Sequence, residues 1–189
     1  GAELTELQLV IILVSLGLMV VLWLFLNLSK HGKAIMAVAM DSAEGPVFRC
    51  EIDPQYKAHR QEPPEDLEPQ IRRILDIVAS QDIPILSVPG FEADDLMATL
   101  ARRITDPEIE ILFVSKDKDL DQLLSERIKC FDPATGEVVG PAELRAKKGY
   151  GPEQAVEIQT LTGDSTDNVQ GVKGIGPKKA AALIAKTGW

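Results

Sequence analysis

Acidic side chains are concentrated at four places in this sequence, and a set of this kind could hold divalent cations. Asp41 ends an apolar run, while the other acids lie in "EADD", "KDKD" and "GDSTD". The candidate metal ligands are Asp41, Glu92, Asp94, Asp95, Asp117, Asp119, Asp164 and Asp167. Carboxylates held close together repel one another unless cations compensate. Oxygen ligands suit Mg²⁺ or Mn²⁺, and no cluster of His and Cys points to zinc instead.

Each acidic cluster taken alone has a simpler interpretation, because acidic residues commonly cap helices or lie in their first turn. For any single cluster that interpretation is the stronger one. It weakens because several clusters occupy matching positions at the ends of predicted elements. Sites in open α/β sheets form beyond the carboxyl ends of the strands, where Asp41 and Asp117 are expected.

A turn rich in glycine and lysine, "GVKGIGPKKAA", follows the last acidic cluster. Free backbone N–H groups at a helix start bind phosphate, and the nearby lysines add positive charge. The candidate DNA-binding residues of this turn are Gly171, Lys173, Gly174, Gly176, Lys178 and Lys179. The turn lacks the pattern of a P-loop and is a weak signal by itself. Beside a metal site, it indicates a protein that grips a nucleic-acid backbone.

The elements expected to position these residues alternate between strand and helix. Strands are predicted around residues 34–41, 83–90 and 108–117, and helices at 65–81 and 92–104. The segments after residue 118 are predicted to be helical, with one helix starting in 119–124 and others within 140–149, 151–163 and 171–186. This alternation is typical of an α/β fold with a mostly parallel sheet. The polar, proline-rich stretch between Cys50 and Asp66 is predicted to be a loop or a helical segment over the sheet.

The composition limits the function classes. The chain has 189 residues and a formal net charge of −9, which argues against a binder of nucleic acid through overall charge. An acidic total still permits a local basic patch or an acidic cluster that holds metal ions. The two cysteines, Cys50 and Cys130, show no CxxC spacing, so the sequence favours free thiols in a reducing, cytoplasmic compartment.

An apolar run, "LVIILVSLGLMVVLWLFL", occupies residues 9–26 and carries no charge. Its length matches that of a transmembrane helix, which needs roughly 18 apolar residues. Because Lys30 and Lys33 follow the run, the rest of the chain would be tethered to the cytoplasmic face of the inner membrane. The alternative is a fully buried helix or strand pair in a soluble core.

Three long stretches resemble a known family: "GFEADDLMATLA", "VSKDKDLDQLLS" and "LTGDSTDNVQGVKGIGPKKAAALI". They are similar to the 5′→3′ exonuclease domain of bacterial DNA polymerase I, in the flap-endonuclease family, from about residue 34 onward. The resemblance implies a PIN-like α/β nuclease with a C-terminal helix–three-turn–helix DNA clamp. It also implies metal-dependent hydrolysis of phosphodiester bonds, during replication and repair, in duplex or flap DNA with a free 5′ end.

The resemblance also implies roles for individual residues. It places Asp41, Glu92, Asp94 and Asp95 around a first metal ion, and Asp117, Asp119, Asp164 and Asp167 around a second. Tyr56, Lys57 and Arg60 match the base of an arch through which 5′ strands pass. Lys57 and Arg60 would act as catalytic residues that stabilise charge on the transferring phosphate, and Tyr56 would stack on a base. The turn at Gly171, Gly174 and Gly176 matches the clamp, which in relatives also binds K⁺.

We expect a monomer with three regions: the apolar segment 1–33, a nuclease core 34–140, and a helical region 141–189 with the clamp. The sequence departs from the family, because it lacks the "IDG"-type motif that supplies another first-metal Asp. The chain is then a gene fragment, a membrane-tethered nuclease, or a nuclease whose apolar segment replaces the family's first strand. The missing Asp leaves a second hypothesis open, a catalytically impaired module that only binds DNA.

Overall fold

The computed structural model describes residues 35–42 and 44–187 and confirms an α/β fold. Contacts divide the chain into Gly1–Ala37 and Val38–Trp189, and every element named below belongs to the second unit. In chain order the strands are β1 (Val38–Ala39), β2 (Ile85–Leu86), β3 (Ile111–Val114), β4 (Ile128–Asp132), β5 (Glu137–Val139), β6 (Gly163–Asp164) and β7 (Val169–Gln170). The α-helices are α1 (Arg49–Ile52), α2 (Leu67–Ser80), α3 (Ala93–Arg103), α4 (Pro141–Lys148), α5 (Ala155–Thr162) and α6 (Pro177–Thr187), and 3₁₀ helices lie at Lys118–Leu123 and Pro152–Gln154.

Two parallel strand pairs carry acidic residues just beyond their ends. β1 runs parallel to β2, with Val38 opposite Ile85. β3 runs parallel to β4, with Ile111 opposite Ile128. Asp41 follows β1 and Asp117 follows β3, so both acids lie beyond the carboxyl end of a parallel strand, as expected for a site in an α/β protein.

The prediction of only helices after residue 118 is wrong. β4 continues into the antiparallel strand β5, with Cys130 opposite Val139, and β6 and β7 form a short antiparallel pair. Among the described strands, parallel and antiparallel pairs are therefore equal in number, which is less parallel pairing than predicted. The helix predicted to start in 119–124 is a 3₁₀ helix, because its N–H groups bond carbonyls three residues back, as in Leu120 to Asp117.

The core lies around the first 3₁₀ helix and the C-terminal helices. Leu120 and Leu144 are each 1% exposed, and Ala180 is completely buried. α5 packs against α6, and both Ile158 and Ile184 belong to the buried cluster. The segments that carry Asp119 and the β6–β7 acids are thus anchored to the same apolar core.

The apolar run predicted to span a membrane, residues 9–26, lies outside the described residues. Within the part of the chain that the structure describes, no helix is long and apolar enough to cross a bilayer. The membrane helix, its buried-core alternative and the cytoplasmic location stay predictions.

Candidate active site

Three carboxylates from distant segments meet in one cluster. Asp119 lies in the 3₁₀ helix after β3, Asp164 ends β6, and Asp167 lies in the turn between β6 and β7. One oxygen atom of each lies within 4.8 Å of the oxygens of the other two, and all three residues are partly buried. This spacing and this donor type suit a single hard cation.

The local structure around Asp119 fixes its direction. The Asp117 side chain caps the 3₁₀ helix, with Oδ1 accepting the backbone N–H of Asp119 at 3.0 Å. From α5, Gln159 Nε2 donates to Asp119 Oδ1 at 2.8 Å. Lys118 Nζ lies 3.0 Å from Asp164 Oδ2. Among the described residues, a neutral side-chain donor thus bonds Asp119 and a cation pairs with Asp164.

A second acidic group lies at the start of α3. Asp41 Oδ1 accepts the N–H of Ala93 at 2.8 Å, so this predicted metal ligand also bonds the first residue of α3. Glu92 is 5% exposed and accepts hydrogen bonds from Tyr56 Oη at 2.7 Å and from Lys57 Nζ. Although burial opposes ionisation, the bonds from Lys57 and Tyr56 hold the pKa of Glu92 below its ordinary value.

Asp95 has a different orientation from the other predicted ligands. Its two oxygens accept hydrogen bonds from Arg49 Nη1 and Nη2 at 2.7 and 2.8 Å. Asp95 Oδ2 also accepts the N–H of Glu92 at 3.1 Å, which completes a capping box at the start of α3. The hydrogen bond from Arg49 lowers the pKa of Asp95. The structure thus directs both oxygens of Asp95 towards Arg49, and one of them also accepts the backbone N–H of Glu92.

Asp94 connects the two acidic groups electrostatically. Burial, followed by the charges of Asp117, Asp119, Asp41 and Glu92, raises the pKa of Asp94 to about 6. A carboxyl group whose pKa is raised by acids from both groups lies in the field of both. The two groups therefore form one site with more negative charge than the protein itself neutralises.

The same imbalance affects Asp119. Burial raises its pKa, the hydrogen bond from Gln159 opposes this shift, and the charges of Asp117, Asp164 and Asp167 add to it. Close carboxylates with raised pKa values gain most from a bound cation, because the cation removes their mutual repulsion.

Three side chains predicted for the arch contact these acids directly. Tyr56 Oη donates to Glu92 Oε2 at 2.7 Å and to Asp167 Oδ2 at 3.0 Å. Lys57 Nζ contacts Glu92 and lies 3.7 Å from Asp167 Oδ1. Arg60 Nη2 donates to Asp167 Oδ1 at 2.9 Å. The structure thus brings Tyr56, Lys57 and Arg60 to the acidic site.

Residues 13–149 match a family described as 5′-3′ exonuclease, N-terminal resolvase-like domain, and residues 150–189 match the 5′-3′ exonuclease, C-terminal SAM fold. The chain belongs to the 5′-3′ exonuclease family. Its core therefore has a PIN-like resolvase fold, and the match begins at residue 13, before the residue 34 expected from the motifs.

Individual relatives and solved structures agree with this family. A thermostable DNA polymerase I of Thermus thermophilus is 44% identical over 159 residues, which cover 84% of this chain and 19% of the relative. The bacteriophage T5 flap endonuclease, in a pseudo-enzyme–product complex with DNA and metal ions, is 26% identical with a TM-score of 0.70, over 88% of this chain and 65% of that chain. A T5 protein crystallised with metal ions gives 26% identity and a TM-score of 0.71, over 88% and 67% of the two chains. The chain thus spans about a fifth of the length of this polymerase relative.

The glycine-rich turn follows β7, which pairs with the strand β6 that ends in Asp164. A Cβ placed on Gly171 would lie 2.2 Å from the carbonyl carbon of Thr162, so only glycine fits between α5 and the turn. Gly174 has φ +82°, a conformation that favours glycine. Lys173 and Lys178 are exposed, as are Gly176 and Lys179, and Lys179 Nζ donates to the carbonyl of Gly174 at 3.0 Å.

Sequence reasoning missed Arg49, Lys118 and Gln159, which contact the acidic site. Arg49 binds Asp95 from 46 residues away, and Gln159 binds Asp119 from 40 residues away. A single sequence carries no signal for such pairings. Lys118 could have been found, because it lies between two predicted ligands in "KDKD" and is the cation nearest to them in the chain.

Proposed function

We propose that this chain hydrolyses phosphodiester bonds in DNA as a metal-dependent 5′→3′ exonuclease and 5′-flap endonuclease. The observation that carries the proposal is the convergence of Asp119, Asp164 and Asp167 within 4.8 Å, with Lys57 and Arg60 held beside Asp167. An acidic cluster flanked by cations suits phosphoryl-group chemistry, since the acids can hold metal ions and the cations can donate to the phosphate.

The residues present fit divalent metal ions. All donors are carboxylate oxygens, the ligand type that Mg²⁺ and Mn²⁺ prefer. We propose two ions, the first held by Asp41, Glu92 and Asp94 and the second by Asp117, Asp119, Asp164 and Asp167. Asp95 supports the first set by holding Glu92 and Arg49 in place. When bound, such ions supply an activated water and stabilise the attacking and leaving oxygens.

Lys57 and Arg60 can bind the substrate phosphate once metal ions neutralise the acids. Lys57 and Arg60 lie on Glu92 and Asp167, where they partly balance negative charge. Neutralisation of those acids weakens these pairs and leaves both side chains able to donate to phosphate oxygens. Arg60 offers a planar fork that matches a phosphate, while Lys57 offers a point charge. Tyr56, held between Glu92 and Asp167, is positioned to stack on a base next to the cleaved phosphate.

We propose that α5, the β6–β7 pair, the glycine-rich turn and α6 form the DNA clamp. Its backbone N–H groups and Lys173, Lys178 and Lys179 would bind phosphates of the duplex, with K⁺ as a further ligand of the turn. The exposure of these lysines and the tight contact of Gly171 with Thr162 support this role. On this proposal residues 34–140 form the nuclease core and 141–189 the clamp region of a monomer.

The test is cleavage of a 5′-flap duplex in Mg²⁺ by the full chain and by two isosteric variants. Asp119→Asn removes a proposed ligand, whereas Asp76→Asn removes an exposed acid on α2 and is the matched control. We expect cleavage by the parent and by Asp76→Asn and at least a hundredfold loss in Asp119→Asn. Binding of the duplex without any cleavage by the parent would instead support the impaired DNA-binding module that the missing motif suggests.

A further inference from the structure

Two segments far apart in the sequence are joined through their backbones beside the acidic site. The N–H of Lys57 donates to the carbonyl of Asp167 at 2.9 Å, and Asn168 Nδ2 donates to the carbonyl of Gln55 at 2.8 Å. Gln55 and Lys57 are two positions apart, so both bonds reach the same short stretch of chain. The turn between β6 and β7 therefore holds residues 55–57 at two points.

Lys57 and Asn168 share an uncommon backbone conformation. Lys57 has φ 56° and Asn168 has φ 61°, in the left-handed region that residues with a side chain rarely adopt. Such a conformation costs free energy, persists where the surroundings fix it, and is most frequent at functional sites. The hydrogen bond to the carbonyl of Asp167 is a contact that fixes Lys57 in this conformation. The backbone of Lys57 therefore depends on the turn that carries Asp167.

Asn168 suits this junction through both its backbone and its side chain. Asparagine adopts the left-handed conformation more readily than most residues, and its amide supplies a hydrogen-bond donor. Glycine adopts the conformation but has no side chain, and an ionised aspartate has no donor. The amide of Asn168 reaches a residue 113 positions away, so the bond is a contact between segments and not part of a local turn.

These contacts gain importance when metal ions bind to the acids. The ammonium group of Lys57 contacts Glu92 and lies 3.7 Å from Asp167 Oδ1. Both carboxylates belong to the proposed ligand sets, and ions that neutralise them weaken their attraction for Lys57. The bonds to the carbonyl of Asp167 and from the amide of Asn168 involve no carboxylate, so neutralisation leaves them in place. They then fix where Lys57 lies relative to the metal ligands.

We propose that Asn168 is a positioning residue, which holds residues 55–57 on the β6–β7 turn and so directs the Lys57 ammonium group to the phosphate that is cleaved. The same turn carries Asp164 and Asp167, so one element sets the positions of metal ligands and of the cation. A displacement of about 1 Å at a reacting centre can lower a rate about a hundredfold. The proposal rests on the proposed nuclease function, because Lys57 meets a phosphate only if the chain cleaves DNA.

The first test removes the amide of Asn168 in two ways. Asn168→Gly keeps the left-handed conformation and Asn168→Asp keeps the side-chain volume, whereas neither keeps the donor. Asp82→Gly is the matched control, because Asp82 also has φ 56° and is exposed after the end of α2. Single-turnover cleavage of a 5′-flap duplex in Mg²⁺ by each full chain gives two values. One is the rate at saturating protein, and the other is the protein concentration that gives half of that rate.

The expected effect is on the rate and not on the half-saturating concentration. We expect Asn168→Gly and Asn168→Asp to lower the rate about tenfold and to keep the half-saturating concentration within about twofold, because the clamp is unchanged. Asp82→Gly should match the parent chain in both values. An unchanged rate in the Asn168 variants, or a change confined to the half-saturating concentration, overturns the proposal.

The second test shows whether Asn168 acts through Lys57. Lys57→Met removes the ammonium group and keeps a long side chain, and its residual cleavage is measured alone and together with Asn168→Gly. Substitutions that act through one contact are not additive. We therefore expect Asn168→Gly to lower the rate less than about twofold in the Lys57→Met chain, against about tenfold in the parent. A tenfold loss in both chains means that Asn168 supports the site in general, and it overturns the proposal.

Hydrogen exchange separates this inference from the nuclease function. The Lys57 amide should exchange about tenfold faster in Asn168→Gly than in the parent chain, whereas Asp82→Gly should leave its exchange unchanged. If the parent does not cleave flap DNA but the Lys57 amide responds in this way, the nuclease function fails and the contact is supported. If the parent cleaves and the amide exchanges equally in both chains, Asn168 does not hold residues 55–57 and the proposal is overturned.

Discussion

Two carboxylates of one 3₁₀ helix, Asp119 and Asp121, have opposite surroundings. Asp121 is 6% exposed and accepts hydrogen bonds from Lys148 Nζ at 2.5 Å and from Tyr150 Oη at 3.1 Å. Asp119 receives a side-chain hydrogen bond from the neutral amide of Gln159, and its carboxylate neighbours include Asp164. The two residues are two positions apart and face different parts of the protein.

The comparison shows that burial alone does not identify a functional acid. Asp121 is the more deeply buried carboxylate, yet its charge is balanced by an ammonium group and a hydroxyl group of the protein. Burial raises the pKa of Asp119, and the charges of the carboxylates around it add to that rise. An acid that lacks a balancing cation is the one with a reason to bind a metal ion, whereas a balanced acid joins segments of the fold.

The largest expected difference between the two residues is in cleavage. Asp119→Asn should reduce cleavage of a 5′-flap duplex at least hundredfold at saturating Mg²⁺, because a ligand charge is removed from the metal site. Asp121→Asn should retain activity within about threefold per folded molecule, since its carboxylate faces Lys148. The rates are measured under single-turnover conditions with the folded fraction determined for each variant. Equal losses in both variants would contradict the distinction.

The next largest effect is on stability, where Asp121→Asn should have a larger effect than Asp119→Asn. Asp121→Asn breaks the pair between a buried carboxylate and the more exposed ammonium group of Lys148, and it should lower the free energy of unfolding by about 2 kcal/mol. Asp119→Asn should leave stability unchanged or raise it, because it removes repulsion among close carboxylates. Urea unfolding without metal ions measures both, with Asp76→Asn as the exposed control. Greater destabilisation by Asp119→Asn than by Asp121→Asn would refute this order.

A smaller effect on stability is expected from removing the Tyr150 hydroxyl group, which donates to Asp121. Tyr150→Phe removes one hydrogen bond to a carboxylate that keeps its bond to Lys148. The expected loss is about 1 kcal/mol, less than for Asp121→Asn, because the ion pair remains. The same urea experiment applies, and a loss as large as that of Asp121→Asn would mean that the hydroxyl group, and not the ammonium group, balances Asp121.

The sequence predicted the elements with a clear period or a clear boundary. α2 and α3 were found from apolar spacing and from acids in the first turn, and they form at Leu67–Ser80 and Ala93–Arg103. β4 and β5 were missed because "IKCFD" and "EVV" are short and mix charged with apolar residues, which gives no clean alternation. Their pairing is a tertiary effect that a short window does not contain.

The candidate site was predicted as a set of residues but not as a set of contacts. The acids at the start of α3 show why, because a helix start favours carboxylates whether they cap it or bind a metal ion. Only the structure shows Asp95 paired with Arg49 while Asp94 lies in the field of Asp117 and Asp119. A capping carboxylate and a metal-binding carboxylate differ in whether a cation or other acids surround them, and those neighbours come from residues distant in sequence.

The smallest effect in this comparison depends on pH and on Asp94. Its pKa of about 6 lies above the ordinary 3.8, so the folded chain favours the protonated carboxyl group. The stability that this preference contributes is present below about pH 4 and is lost as pH rises through 6. A divalent ion, which needs the carboxylate, should offset that loss at pH 7.5 and have little effect at pH 5.

The measurement is thermal unfolding at pH 5 and pH 7.5, with and without Mg²⁺. We expect Mg²⁺ to raise Tm by about 2–4 °C more at pH 7.5 than at pH 5, which corresponds to about 1 kcal/mol for a chain of this size. Asp94→Asn should reduce this difference, whereas Asp121→Asn should leave it intact although it lowers Tm under all conditions. A Mg²⁺ effect that is independent of pH in the parent chain would show that the acids beside Asp119 are already balanced, which would remove the contrast with Asp121.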